Sequence, residues 1–270
     1  MDSSEEKAKR RDILAPAEEY SSGFRNLVGK ENREWTSGLS LVTHGATWML
    51  VVAITSVVVA FVRGEVLANQ SPKDLNDAGA LMFFVLGSVA SVIAVVAKTQ
   101  GAIIGEKQLG TAAWVLSKPA SRRAFVIAKL VVHYRWLLTI TLLFPALVFY
   151  GLMTAVSAVP PPPLAFLGGF AILALGLLFY LSLSLLLGTV FESRGALAGS
   201  VFGFMVAGFL VANYATWLTA AFPWLFFQSG YYLVKYGYVP FYGLVSIPAS
   251  AIWCGVFIFL ALRRFERAEL

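Results

Sequence analysis

Six apolar runs, each long enough to cross a bilayer as a helix, constrain the fold of this chain more than any other feature. The hydrocarbon core is spanned by about 20 helical residues at about 1.5 Å each. The runs are 41–62, 79–97, 124–157, 164–191, 195–220 and 242–262. A soluble protein of this length cannot bury six helices that are apolar on every side. The runs therefore predict an all-α integral membrane protein with six transmembrane helices, spans 1 to 6 below.

Lysine and arginine are distributed unevenly between the two sides of such a bundle. Cytoplasmic loops of membrane proteins carry an excess of these residues. Sixteen of the 21 lie before span 1, between spans 2 and 3, between spans 4 and 5, or after span 6, and three lie in the opposite loops. We therefore predict that both termini are cytoplasmic, with the loop between spans 2 and 3. The net charge of +6 then reflects topology and argues against a nucleic-acid partner.

The chain before span 1 divides into a polar tail and an amphipathic segment. Residues 1–22 are expected to form a disordered cytoplasmic tail. Within residues 23–36, spacings of three and four place five residues on one stripe of a helix: Phe24, Leu27, Val28, Glu31 and Trp35. This stripe predicts a helix lying in the cytoplasmic membrane interface, and a polar linker is the alternative.

Two connections on the opposite side have distinctive compositions. Four successive prolines at 160–163 join spans 3 and 4 and predict a stiff, extended connector. Residues 220–243, between spans 5 and 6, are rich in Trp, Tyr and Phe. Because Trp and Tyr favour the headgroup layer, we expect this aromatic segment to re-enter the outer interface. Pro145 lies inside the long third run, where it should kink the helix without ending it.

Titratable residues are nearly missing from the runs, which disfavours several classes of function. Ion-driven transporters keep such groups within the membrane, whereas His44, His133 and Glu192 lie toward the ends of spans. The sequence offers no nucleophile–base pair for an intramembrane protease and no cluster of metal ligands. The nearest approach to a phosphate-binding loop, 23–31, has Glu31 where Ser or Thr should bind magnesium. We predict no catalytic site, no metal and no ATPase site in this chain.

The loop between spans 2 and 3 mixes apolar and charged residues, which a simple connector does not need. Residues 103–116 can be helical, and the side chains that matter are Glu106, Lys107, Trp114 and Leu116, with Lys118 just after them. An apolar centre with a charged rim is typical of protein interfaces. The pattern therefore predicts a docking element, and a helix that only rests on lipid is the alternative.

The end of this loop prepares the start of span 3. Pro119 breaks the preceding helix, and Ser121 is placed to cap the next one. Arg122 and Arg123 are expected to anchor the span at the phosphate headgroups.

This region resembles the type-2 permease family of ATP-binding-cassette (ABC) transporters. In that family a glutamate-led E-x-x-x-G-T stretch precedes an S-x-P-x-S-R turn and the third span. The matching residues are Glu106, Gly110, Thr111, Ser117, Pro119, Ser121 and Arg122. Residues 27–35 are similar to the connecting helix of the family, and 261–270 to its basic carboxyl-terminal end.

The resemblance implies a permease subunit in the plasma (inner) membrane, with residues 37–270 as its six-span domain. Such a subunit pairs with a second permease, either an identical copy or a close paralogue, and docks two separate ATPase subunits that hold ATP and magnesium. Residues 103–118 would be the coupling helix. Its contacts with the ATPase would be Glu106, Lys107, Gly110, Thr111, Trp114, Leu116, Ser117 and Lys118. Most relatives export their substrates.

A scaffold or assembly factor that transports nothing is the alternative function. For the docking role, reversing the charge of Glu106 should weaken transport-coupled ATP hydrolysis and leave insertion and folding intact, because a charge change on the cytoplasmic side costs little membrane-insertion energy. Polar residues inside the spans could line a substrate path or make helix–helix hydrogen bonds, which is their commoner use. These residues are Tyr180, Ser182, Ser184 and Asn213.

Because the sequence holds no phosphate-binding loop, we expect the purified chain to hydrolyse no ATP. Phosphate release would be measured in detergent and in lipid vesicles. Hydrolysis that follows the chain through successive purification steps would contradict the prediction.

Overall fold

The computed structural model describes residues 23–36, 39–66, 71–108 and 122–267, and its regular structure is helical throughout, without a strand in these ranges. Six helices are long and apolar enough to cross a membrane. Their bounds are Leu41–Val62, Pro72–Glu106, Arg122–Ser157, Pro163–Val190, Arg194–Ala212 and Phe241–Arg267. The continuous α-helix of span 2 ends at Thr99, so the residues after it are assigned below to the loop between spans 2 and 3. The predicted all-α, six-span fold is thereby confirmed, while the orientation of the termini stays a prediction. The tail predicted at 1–22 lies outside the described residues.

Span 4 forms the centre of the bundle. It packs against span 2, span 6 and a short helix, Phe226–Tyr236, from the connection between spans 5 and 6. Near its start, Phe166 contacts an aromatic cluster supplied by spans 2 and 3, with Phe83 and Phe149 stacked at 4.7 Å between ring centres. Large aromatic side chains bury much apolar area, so this cluster ties three spans together at one end of the bundle.

Spans 1 and 3 each change from α-helical to π-helical geometry midway. In span 1 the segment is Met49–Ile54, and in span 3 it is Leu138–Leu143. The second segment directly precedes the helix Phe144–Ser157, in which Pro145 lies in the first turn. Pro145 lacks an N–H and cannot continue the regular hydrogen-bond ladder. The helix continues past the proline to Ser157, as predicted, and the wider turn accommodates the interruption.

The aromatic connection between spans 5 and 6 folds back against the bundle. Span 5 is shorter than predicted, since its helix ends at Tyr214 and 3₁₀ turns follow at Thr216–Ala221 and Pro223–Leu225. The helix Phe226–Tyr236 then lies against spans 2 and 4, and Lys235 Nζ is 3.6 Å from Asp77 Oδ2 of span 2. The aromatic segment therefore contains a helix that packs on the bundle and is joined to span 2 by an ion pair.

Close approach between this helix and span 4 depends on two glycines that face Phe84 of span 2. A Cβ atom at Gly169 would lie 2.5 Å from Phe84 Cζ, and one at Gly230 would lie 2.7 Å from the same ring. Such contacts are too short for real atoms, so the ring fills the space that the missing side chains leave. The absence of a side chain at both positions lets the two helices enclose Phe84, which is fully buried.

Replacing Gly169 with alanine should destabilise the fold, although alanine is the better helix former. The added methyl group must displace Phe84, and overpacking of this kind costs about 1–3 kcal/mol. Gly151 is the matched control, because it is also helical and has no atom within 4 Å of an added Cβ. The measurement is the thermal midpoint in detergent, and equal midpoints for G169A and G151A would rule out the packing proposed for Phe84.

Candidate functional site

The candidate site lies at the end of the bundle that the charge distribution predicts to be cytoplasmic. Residues 23–36 form a helix there, beside the start of span 3. Ile103 and Ile104 are fully buried, and Ile104 begins the short helix Ile104–Gln108 at the start of the predicted docking loop. The Gln108 amide donates a 2.9 Å hydrogen bond to the carbonyl oxygen of Glu192, just after span 4. The base of the loop is therefore attached to the bundle.

Four charged side chains meet at this base, and we call them the charge cluster: Lys30, Glu31, Glu106 and Lys129. Lys129 of span 3 donates to Glu31 Oε1 at 2.7 Å and to Glu106 Oε1 at 3.0 Å. Lys30 also donates to Glu106 Oε1, at 2.7 Å. The cluster thus joins three segments that are distant in sequence: the helix 23–36, the docking loop and span 3.

Three members of the cluster are buried or nearly so and Lys30 is partly exposed, so the buried charges must neutralise one another. The side chains of Lys129 and Glu31 are 1% and 2% exposed, and that of Glu106 is 13% exposed. An unpaired charge at such a position carries a large desolvation cost, whereas a hydrogen-bonded pair of opposite charges offsets most of it. Two ammonium groups face two carboxylates here, which leaves no net charge. Their mutual dependence fixes the geometry of the three segments.

The two residues from helix 23–36 respond to this environment in different ways. Burial raises the pKa of the Glu31 carboxyl group, and the neighbouring Lys129 counteracts only part of that effect. Burial alone would lower the pKa of Lys30, but its hydrogen bond to Glu106 and the charge of Glu106 outweigh burial and raise it. Lys30 is therefore held in its charged form, and Lys129 favours the ionised form of the Glu31 carboxyl group against the effect of burial.

Aromatic and amide contacts extend the attachment of helix 23–36 along span 3. The Trp35 ring stacks on Trp136 with ring centres 6.3 Å apart, and Lys98 Nζ lies 4.5 Å from the centre of the Trp35 ring. Asn32 Oδ1 accepts hydrogen bonds from Arg135 and from the Trp136 indole, at 2.6 and 3.1 Å. The helix is thus fixed to span 3 over several turns.

The stripe predicted for this helix is the face that packs on the bundle. Leu27, Glu31 and Trp35 are buried, and Phe24 and Val28 are partly buried against the core. Arg25 and Arg33 are exposed on other faces. The helix exists over the predicted residues, and its location in the membrane interface stays a prediction.

Glu106 is the one predicted partner contact whose side-chain environment the structure describes in detail. It is mostly buried and accepts hydrogen bonds from two lysines of its own chain, so we expect reversal of its charge to affect folding as well, which the sequence alone did not indicate. A lysine there would place three ammonium groups together. Lys107 lies in the short helix, and the exposed Gln108 follows it. The other predicted contacts lie in 109–121, outside the described residues: Gly110, Thr111, Trp114, Leu116, Ser117 and Lys118, together with Pro119 and Ser121 of the turn.

The two arginines expected at the headgroups contact span 6, and their contact with headgroups stays a prediction. Arg122 Nη1 donates to the Glu266 carbonyl oxygen at 2.9 Å, and Arg123 pairs with the Glu266 carboxylate. Their neighbour Phe125 stacks on Phe265, with ring centres 5.2 Å apart. These contacts join the start of span 3 to the end of span 6.

The polar residues considered for a substrate path lie within the packed chain. Tyr180, Ser182 and Ser184 are buried in span 4, and the Ser182 hydroxyl donates to the Phe179 carbonyl oxygen at 2.9 Å. Asn213 lies near the end of the span 5 helix. Three of the four are thus placed for helix packing in the single chain, and a path-lining role stays a prediction.

Sequence reasoning missed Lys30, Glu31, Lys129 and His133 as a connected set. His133 Nδ1 is 3.9 Å from Glu31 Oε2, one turn along span 3 from Lys129. Two signals were present: a glutamate on the apolar stripe of an amphipathic helix, and a lysine four residues before a histidine in an apolar run. Each signal indicates a charge that needs a buried partner, but neither identifies that partner.

Carboxylates of this region could also be considered as ligands for a metal ion. Oxygen atoms of Glu31, Glu34 and Glu106 lie within 4.8 Å of one another. The ammonium groups of Lys30 and Lys129 already pair with all three residues and would compete with a cation. The donor set therefore suits ion pairs better than a metal.

Six apolar helices, with an amphipathic helix and a loop base fixed beside span 3, define a polytopic membrane protein. Residues 48–270 match the model of the ABC-2 family transporter proteins, which covers most of the chain, and the chain belongs to that family. It is thus a membrane-spanning permease subunit of an ABC transporter. No match was found among curated proteins.

Replacing Lys129 with methionine should destabilise the protein strongly. Removing one partner of a buried ion pair leaves an uncompensated charge and typically costs about 3–5 kcal/mol. Thermal midpoint and the yield of monodisperse protein would be measured. Arg33→Met is the control, because Arg33 is exposed on the helix that carries Glu31.

A double variant, Glu31→Leu with Lys129→Met, tests the cause of that loss. It removes both buried charges and leaves Lys30 paired with Glu106, so much of the stability should return. If K129M is as stable as R33M, the cluster is not a structural element.

Proposed function

We propose that this permease subunit couples ATP hydrolysis by two separate ATPase subunits to export of a substrate across a plasma (inner) membrane, in the pattern of a prokaryotic exporter. Family membership supports the transporter assignment. The observation that carries the coupling proposal is the attachment of Glu106, at the base of the docking loop, to Lys129 of span 3. ATP and magnesium would bind to the ATPase subunits and not to this chain.

In this proposal the loop 103–118 is the coupling helix that an ATPase contacts. A displacement of the loop would act on Glu106, and Glu106 is bonded to Lys129 and Lys30. Because buried ion pairs are costly to separate, the three segments should move together. Movement of the ATPase would therefore reach span 3 and helix 23–36 at once.

A second permease would complete the assembly, as an identical copy or a close paralogue. Spans 1 and 5 have large apolar side chains exposed along much of their length. Examples are Leu50, Val58, Phe61, Val206 and Leu210. Span 5 is also the least buried of the six within the single chain. These faces support pairing with a second set of spans, since such surfaces contact either lipid or other helices.

Trp114→Ala should weaken binding of the ATPase subunit. An aromatic anchor at an interface contributes above about 2 kcal/mol, which corresponds to an about 30-fold weaker complex. The ATPase subunit, identified as the ABC protein that copurifies with the tagged wild-type permease, would be titrated against permease in nanodiscs. Stimulated ATP hydrolysis would be measured on the same samples.

Lys73→Glu is the control, because Lys73 is exposed at the start of span 2, at the end predicted to lie outside. This variant should bind the ATPase like the wild type. If W114A also binds and stimulates like the wild type, the loop is not the docking element. A permease that binds no ABC ATPase at all would favour the scaffold alternative.

A further inference from the structure

A groove of about 590 Å³ lies between the ends of spans 4 and 6, on the side of the bundle with the charge cluster. Its walls include Leu186 and Val190 of span 4 and Leu260 of span 6, and its outer part is formed by Arg263, Arg264 and Arg267. The volume falls in the range of sites for small molecules, about 300–1,000 Å³. The groove therefore combines an apolar interior with a cationic entrance.

Helix geometry explains why three arginines share this entrance. Successive residues of an α-helix are rotated by about 100°, so positions 263, 264 and 267 fall within an arc of about 100°. Phe265 points the opposite way and stacks on Phe125 of span 3. Glu266, the only acid in this last stretch of the described helix, is directed to Arg123 of span 3. The single carboxylate of the segment is thus used elsewhere.

The arginines have no close carboxylate partner in the part of the chain that the structure describes. Every described ion pair within 4.0 Å involves other cations. Glu266 attracts Arg267 only from a longer distance, and its own pair is Arg123. All three arginines are exposed, so their guanidinium groups remain available to an anion.

We propose that this groove binds one anionic phospholipid, with the headgroup at the three arginines and an acyl chain against Leu186, Val190 and Leu260. Guanidinium groups bond phosphate oxygens in a bidentate manner. In an anionic lipid the headgroup carries no cation of its own, so the negative charge of its phosphate is left for the arginines to neutralise. The groove opens where two apolar spans end, which is the depth at which a lipid phosphate lies. A zwitterionic lipid would bring its own cation toward the arginines and bind less well. The proposal does not depend on transport or on an ATPase.

The test measures lipid retained by the purified permease chain. The protein would be mixed with equal amounts of phosphatidylglycerol and phosphatidylcholine in detergent, and bound lipid counted by native mass spectrometry. The wild type should keep one phosphatidylglycerol per chain in preference to phosphatidylcholine. The variant R263Q/R264Q/R267Q should lose this adduct at least tenfold. Its thermal midpoint without added lipid would be measured to confirm that it folds.

The control variant R25Q/R33Q/R194Q removes the same total charge from exposed arginines outside the groove and should retain the lipid. Leu260→Trp should reduce retention by filling the apolar part while leaving the arginines in place. Soluble glycerophosphoglycerol should not compete, because it lacks the acyl chain.

Three results would overturn the proposal. The first is that R263Q/R264Q/R267Q retains as much phosphatidylglycerol as the wild type. The second is that the control variant R25Q/R33Q/R194Q loses as much phosphatidylglycerol as R263Q/R264Q/R267Q. The third is displacement of the lipid by glycerophosphoglycerol at equal concentration, which would show a site for soluble phosphate compounds instead of a membrane lipid.

Discussion

The pairing of Lys129 with Glu31 and Glu106 is the interaction on which the arrangement of the predicted cytoplasmic end depends. Any one of these charges alone would be too costly to bury at this depth, and each is buried only because the others are present. A helix before span 1, a loop after span 2 and the opening turns of span 3 are therefore placed together by one electrostatic requirement. Lys30 completes the balance, since it supplies the second positive charge that Glu106 contacts.

The opposite end of the bundle is held together by close packing of aromatic side chains against glycines. Phe84 fits between Gly169 and Gly230, and the Phe83 and Phe166 rings pack against it. Phe149 stacks on both of these rings. In lipid, apolar burial gives little driving force for helix association, so close packing and small residues carry more of the stability. This explains how the helix Phe226–Tyr236 can be held among the spans with one ion pair, Lys235 to Asp77, as its charged contact. Ion pairs dominate one end, and aromatic packing dominates the other.

The six spans could be predicted from sequence because the bilayer imposes a length and an apolar composition that are visible in one dimension. The stripe on helix 23–36 could be predicted for a similar reason, because burial of one helix face places apolar residues at spacings of three and four along the sequence. Pairing was not visible. Arg122 and Arg123 satisfy the positive-inside pattern whether they contact headgroups or Glu266, and Glu106 satisfies a docking pattern whether its partner is another protein or Lys129. Composition predicts where a charge lies along the membrane normal, but the partner is decided by packing between distant segments.

Span 3 connects the end of span 6, the docking loop and helix 23–36 mechanically. Its first turns contact the end of span 6 through Arg123 and Phe125, the docking loop through Lys129, and helix 23–36 through Lys129 and Trp136. Beyond them the helix becomes π-helical at Leu138–Leu143 and meets Pro145, where the regular hydrogen-bond ladder is interrupted. A rigidly connected base followed by an interrupted segment is a natural place for a span to bend. We infer that movement of the docking loop would rotate the part of span 3 before Leu138 as a unit, together with helix 23–36. The bend at the π-helical segment would then transmit this rotation to the end of the bundle that contains the aromatic cluster.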